Sequence, residues 1–152
     1  MTRSVIRYIL IGSFFATLAF IFINSMLPPN VSSEESGAVA DFIATVFPPT
    51  TSFGAFLAEY TRKIAHFVEY GLLGTEIALY VNLYLGKLRK WAPVSLLVGF
   101  ITAFIDETIQ IFSGRGPSIV DIWIDVSGFT AFSLCVYLVF FIIKKLKSSR
   151  KN

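Results

Sequence analysis

Two short runs of the chain bring acid, base and amide side chains to spacings that could do chemistry. The first holds Lys63, His66, Glu69 and Tyr70, and the second Asp106, Glu107 and Gln110. Arg115, Asp121 and Asp125 follow shortly after. Imidazole titrates near neutrality, which suits His66 to general acid or base work, with Glu69 or Asp106 orienting it. Asp106, Glu107 and Asp121 could hold a hard divalent cation, while the Arg115 guanidinium suits a phosphate or carboxylate. A His-x-x-Glu pair with scattered carboxylates is too loose to name a metal. The candidate catalytic residues are therefore His66, Glu69, Asp106, Glu107 and Asp121. Lys63, Tyr70, Gln110, Arg115 and Asp125 are the candidate substrate-binding residues. No Gly-x-Ser-x-Gly, His-Glu-x-x-His or P-loop pattern occurs.

The segments that carry these groups are apolar. Of the 152 residues 55% are hydrophobic and 15% charged, with 16 Phe, and mean hydropathy is +0.69. A soluble domain of this size needs more polar surface than that, whereas a lipid-facing one does not. The reading is one all-α membrane domain over residues 1–152. A net charge of +3 gives little ground for a nucleic-acid partner, and none is expected. Cys135 is the one cysteine, so no intrachain disulfide can form; it reads as a packing residue.

Four apolar stretches are long enough to cross a hydrocarbon core, which takes roughly 20 helical residues: about 5–26, 61–84, 92–112 and 119–143. The first follows Arg3 and Arg7 but is too long for a signal-peptide core and has no small-x-small site at its end. It is expected to be retained. Between the second and third stretches lie Lys87, Arg89 and Lys90. After the fourth come Lys144, Lys145, Lys147, Arg150 and Lys151. With four spans these flanks put ten of the thirteen basic residues on one side, so both termini are expected in the cytoplasm.

The external loop, about 27–60, is the one long connection. Ser32 with Glu35 reads as a capping box opening a short helix. Ala38, Val39, Phe42, Ile43, Val46 and Phe47 would form its apolar side, on the membrane surface or over the bundle. Pro48-Pro49 should end it, and Ser52–Tyr60 should extend the second span outward.

On this topology Arg62 to Glu69, Asp106 to Gln110, and Asp121 with Asp125 all lie within roughly 10–15 Å of the outer boundary at 1.5 Å per residue. Glu76 alone sits near mid-membrane. Charges close to a boundary can snorkel to water, which suits Arg62, Lys63 and Asp121 but fits His66, Glu69, Asp106 and Asp125 poorly. Helical spacing lets the three stripes face inward around one outward-opening polar pocket. Gly128 continues the Asp121–Asp125 side and permits a close helix approach. The acids outnumber Arg62, Lys63 and Arg115, which calls for a protonated carboxyl, a bound cation or a cationic ligand group.

The polar runs also form a pattern. Lys63-Ile64-Ala65-His66-Phe67-Val68-Glu69-Tyr70 followed by Leu73-Gly74, and Asp106-Glu107-Thr108-Ile109-Gln110 followed by Gly114-Arg115, Ser118 and Asp121, resemble the two motifs of the VanZ-like family. The resemblance covers about residues 60–130. It implies a polytopic membrane protein, related to a founding member associated with low-level teicoplanin resistance. The recurrent polar positions of the family fall on Lys63, His66, Tyr70, Asp106, Glu107, Gln110, Arg115 and Asp121. The chain departs from the pattern at Asp125, where the family usually has Asn, and at Phe132, where it favours a small residue.

Three functions fit these residues. The first is an enzyme acting at the outer leaflet on a lipid-linked or cell-envelope substrate. The second is a protein that binds or transports an amphiphile, lipid head group or glycopeptide; spans without Gly/Pro breaks favour binding over transport. The third is an accessory subunit whose ionic core fixes helix register. Membrane lipids are partners on every one of these readings.

Overall fold

The computed structural model describes residues 2–86, 88–116 and 118–149. Of the basic flanks noted above, Lys87, Arg150 and Lys151 lie outside the described residues. The described chain is helical, without strands: α1 Arg3–Met26, α2 Pro29–Val46, α3 Ser52–Tyr80, a π-helical turn Val81–Leu85, α4 Leu88–Phe112 and α5 Ile119–Ser149. Helices α1 and α5, and Lys90–Phe112 of α4, are each long and apolar enough to cross a membrane. The second of the four expected stretches forms part of α3. That helix is not in this set, because Glu59, Arg62, Lys63, Glu69 and Glu76 interrupt its apolar sequence.

Helix α3 is the hub and packs against all four other helices. Its closest partner is α5, where a Cβ on Gly128 would collide with the Phe67 carbonyl and one on Gly74 with the Phe129 carbonyl. The absence of side chains there brings the two backbones together, as the position of Gly128 predicted. Phe132 fits because Gly71 opposes its ring, while Phe67 meets it edge-on at 5.9 Å between centroids. Ile21, Tyr70, Leu73, Ala103 and Phe129 form the buried core. Outside it the surface is apolar: Phe112 is 87% and Ile119 75% exposed. Such positions favour hydrocarbon over water.

Two expectations need correction. Helix α2 begins three residues before Ser32, with Pro28 as N-cap and no side-chain cap. Pro29 at its first position has a backbone preset for helix, and the Ser32 N–H bonds the Pro28 carbonyl at 3.1 Å. Ser32 is therefore buried inside the helix, and the capping box does not form. The apolar side of α2 is turned away from the other helices, as a placement on the membrane surface would require. Val39, Phe42 and Val46 are exposed, while Val31, Ser32, Ser36, Ala40, Ile43 and Ala44 are the more covered residues. Cys135 is exposed on α5, so it has no packing role within the chain. The end of α2 before Pro48-Pro49 and the continuation of α3 over Ser52–Tyr60 agree with the sequence reading. Thr51 caps α3, its Oγ1 accepting from Gly54 N at 3.0 Å.

Candidate functional site

The polar groups assemble where α1, α2 and α3 meet the α4–α5 turn. That turn follows from two glycines with left-handed backbones, Gly114 (φ 81°) and Gly116 (φ 75°). Between them the Arg115 N–H donates to the Gln110 carbonyl at 3.0 Å. The Arg115 side chain reaches across to α1, its Nη1 donating to the Asn24 carbonyl at 3.0 Å. Glu107 fastens the far side of the turn by accepting from Ser118 N at 2.7 Å.

A cavity of about 320 Å³ opens beside this turn. Arg62, His66, Glu69 and Arg115 line it, with Asn24 and Ser25 from α1 and Ser32, Glu35 and Ser36 from α2. Phe20, Ile21 and Val39 give it an apolar wall. Burial, followed by the nearby Arg62 charge, lowers the Arg115 pKa from its ordinary value. The guanidinium still carries its charge at neutral pH. Its Nε is buried without a hydrogen-bond partner among the described residues.

Beneath the cavity lies a buried polar layer. Asp106, Glu107, Gln110 and Asp125 are at most 3% exposed, and Tyr70 is fully buried. Arg62 Nη2 donates to Gln110 Oε1 at 3.1 Å, and Gln110 Nε2 donates to Glu107 Oε1 at 3.1 Å. Ser25 of α1 donates to Asp106 Oδ1. His66 Nδ1 is 3.3 Å from Asp125 Oδ1 and 3.8 Å from Asp106 Oδ2. This network draws on α1, α3, α4 and α5, and packing alone would not require its charges. Among the described residues, the groups that could take a metal are His66, Asp106 and Asp125, whose ligand atoms all lie within 4.8 Å of one another.

Among the predicted site residues, His66, Glu69 and Arg115 line the main cavity, and Tyr70, Asp106, Glu107, Gln110 and Asp125 lie in or beside the buried layer. Two stand apart. Lys63 is exposed, its Nζ 5.5 Å from the Tyr60 ring centroid. Asp121 borders a separate, smaller recess with Glu59, Arg62, Lys63 and His66. One shared pocket was expected; two recesses occur, and His66 and Arg62 border both. Glu76 joins neither: it accepts from Ser13 and from Thr17, the latter at 2.9 Å. The sequence reading missed Ser25, Asn24 and the α2 serines. The signal was present in α1, where Ser13, Thr17, Ile21 and Ser25 recur every fourth residue on one side.

Comparison with known families is decisive. A family model described as VanZ/LLP1 matches residues 10–142, most of the chain. The chain belongs to the VanZ/LLP1 family. No curated protein and no solved structure matches. The VanZ/LLP1 match extends well beyond the two motifs, into α1, whose Ser25 completes the buried layer, and into α5 as far as residue 142.

Proposed function

We propose that this VanZ-family membrane protein binds the anionic head group of a lipid-linked or other cell-envelope amphiphile in the cavity beside the α4–α5 turn. The observation that carries this reading is the pair Arg62 and Arg115 on one cavity with an apolar wall. Guanidinium groups suit phosphate and carboxylate oxygens, which they meet bidentately. Arg115 keeps an unpartnered buried Nε, and Phe20, Ile21 and Val39 suit the first carbons of an acyl or prenyl chain. In the proposed topology α1, α3, α4 and α5 all cross the membrane, both termini are cytoplasmic, and α2 lies on the outer side. The charges of α3 are compatible with crossing because its neighbours enclose much of the helix, and the cavity then faces the outer leaflet.

Occupation of an envelope precursor at that surface would alter what a glycopeptide can reach. A change in teicoplanin susceptibility is therefore the cellular readout. The direct test is native mass spectrometry of the protein in lipid nanodiscs, wild type beside Arg62→Ala and Arg115→Ala. A bound anionic lipid is expected on the wild type, weakened about tenfold by each substitution, the usual size for a hydrogen bond to a charged group. Equal retention by the double variant would sink the reading.

A further inference from the structure

We infer that His66, Asp106 and Asp125 form a binding site for one divalent transition-metal ion, of the Mn2+ or Zn2+ kind. Three observations carry the assignment. The first is distance: His66 Nδ1 is 3.3 Å from Asp125 Oδ1 and 3.8 Å from Asp106 Oδ2, and all three donor atoms fall within 4.8 Å. Ligands about 2.0–2.1 Å from a tetrahedral metal stand roughly 3.3 Å apart. Small side-chain adjustments would therefore close the shell.

The second is orientation. His66 Nδ1 and Asp125 Oδ1 face each other across 3.3 Å. His66 Nδ1 and both oxygens of Asp125 are buried with no hydrogen-bond partner among the described residues, as is the hydroxyl of Tyr70. Asp125 is fully buried. A cation between the three groups would use these lone pairs, since the donor atoms already cluster around one point.

The third is support. Ser25 donates to Asp106 Oδ1, and Gln110 lies 3.4 Å from Oδ2. Partners of this kind behind a ligating carboxylate fix its direction. Two carboxylates balance a divalent charge in a dry interior, where either anion alone would be poorly solvated.

One imidazole and two carboxylates suit Mn2+ or Zn2+ better than Mg2+ or Ca2+, which prefer shells of oxygen alone. Three protein ligands leave at least one position open. His66 reaches the cavity from this site, so that position is placed for an oxygen of a bound head group. The sequence reading gave the cation to Asp106, Glu107 and Asp121. The structure keeps Asp106 but occupies Glu107 with Ser118 and Gln110 and sets Asp121 aside. The ion site stands on the buried triad alone and does not require the lipid reading of the cavity.

The test uses detergent-purified full chain, freed of metal with a chelator and then titrated with Mn2+, Zn2+, Mg2+ and Ca2+ separately. Bound metal is measured by elemental analysis and thermal unfolding is followed in parallel. One equivalent of Mn2+ or Zn2+ and a raised Tm are expected. Asp125→Asn and His66→Ala should each weaken binding by at least about tenfold, and the pair should abolish the Tm shift. Metal-free Asp125→Asn should unfold no lower than metal-free wild type, since a buried anion has been removed; this separates lost binding from lost folding. Exposed Glu34→Gln should bind as wild type does. No binding and no shift in wild type, filling by Mg2+ or Ca2+ alone, or undiminished binding in the double variant would overturn the assignment. Lipid retention in the metal-free protein is read separately, so either idea can fail without the other.

Discussion

Gly128 shows how much of the bundle rests on single atoms. A methyl at this position meets the carbonyl of Phe67, which belongs to the helix backbone and cannot rotate aside as a side-chain tip can. Gly128→Ala must therefore push α5 away from α3, disturbing His66 and Asp125, which face each other one turn away across that interface. Overpacking of this kind costs about 1–3 kcal/mol. Thermal unfolding in detergent should show a clear drop in Tm. Gly12 has open space around its Cβ position, so Gly12→Ala should hold or slightly raise the Tm through helix propensity. Equal behaviour of the two variants would mean that the close approach does not exist. This contact was legible in the sequence, because Gly128 continues the Asp121–Asp125 side of the helix. The fate of Asp121 was not. Helical spacing fixes which side a residue takes but not how far α5 is rotated against α3, and that rotation buries Asp125 while leaving Asp121 at a second recess.

Helix α1 illustrates what periodicity of charge leaves out. It has no acidic residue, and its basic residues lie in its first turns, so no charged stripe marks it in the sequence. Yet Ser13 and Thr17 both donate to Glu76 of α3, and Ser25 donates to Asp106 of α4. Hydroxyls are common in membrane helices and look unremarkable singly; they acquire meaning only once a carboxylate stands opposite. The pairing has a consequence that can be measured. Removing both donors with Ser13→Ala and Thr17→Ala strands the Glu76 carboxylate against apolar groups. The expected loss is about 1–3 kcal/mol for an unsatisfied group, seen as a lower Tm. Adding Glu76→Leu to that double variant should restore most of it, since replacing all the polar partners by apolar ones is nearly neutral. If the triple variant is as unstable as the double one, Glu76 holds α3 through contacts other than α1. Helix α2 went astray for a related reason. Ser32 and Glu35 satisfy the capping pattern, but Pro29 upstream starts the helix earlier, and a proline preset for helix overrides a cap three residues on.

Helix α3 decides how the whole molecule sits in a membrane. Its own sequence is more charged than those of α1, α4 and α5, and α1, α2, α4 and α5 pack around it. Glu69 and Glu76 are partly covered by these neighbours, while the exposed Glu59, Arg62 and Lys63 lie towards one end of α3, where such charges can reach water, so hydropathy understates its fitness to cross. Crossing by α3 makes the number of spans even and gathers the basic flanks at Arg3, Arg7, Lys90, Lys144, Lys145 and Lys147 on one side. If α3 stayed on a surface, α1, α4 and α5 would give an odd count, and the N-terminal basic residues would lie opposite the C-terminal ones. The positive-inside rule favours the even arrangement. Cysteine labelling distinguishes the two without reference to any activity. In a Cys135→Ser background, Thr2→Cys and Ser148→Cys should resist a membrane-impermeant maleimide in intact cells and react after permeabilisation. Glu34→Cys at the exposed side of α2 should react from outside in both conditions. Labelling of Thr2→Cys and Ser148→Cys from opposite sides would rule out the even count. The cavity lined by Arg62 and Arg115 would then need a new assignment to a leaflet, while its geometry and the buried triad beneath it would stand unchanged.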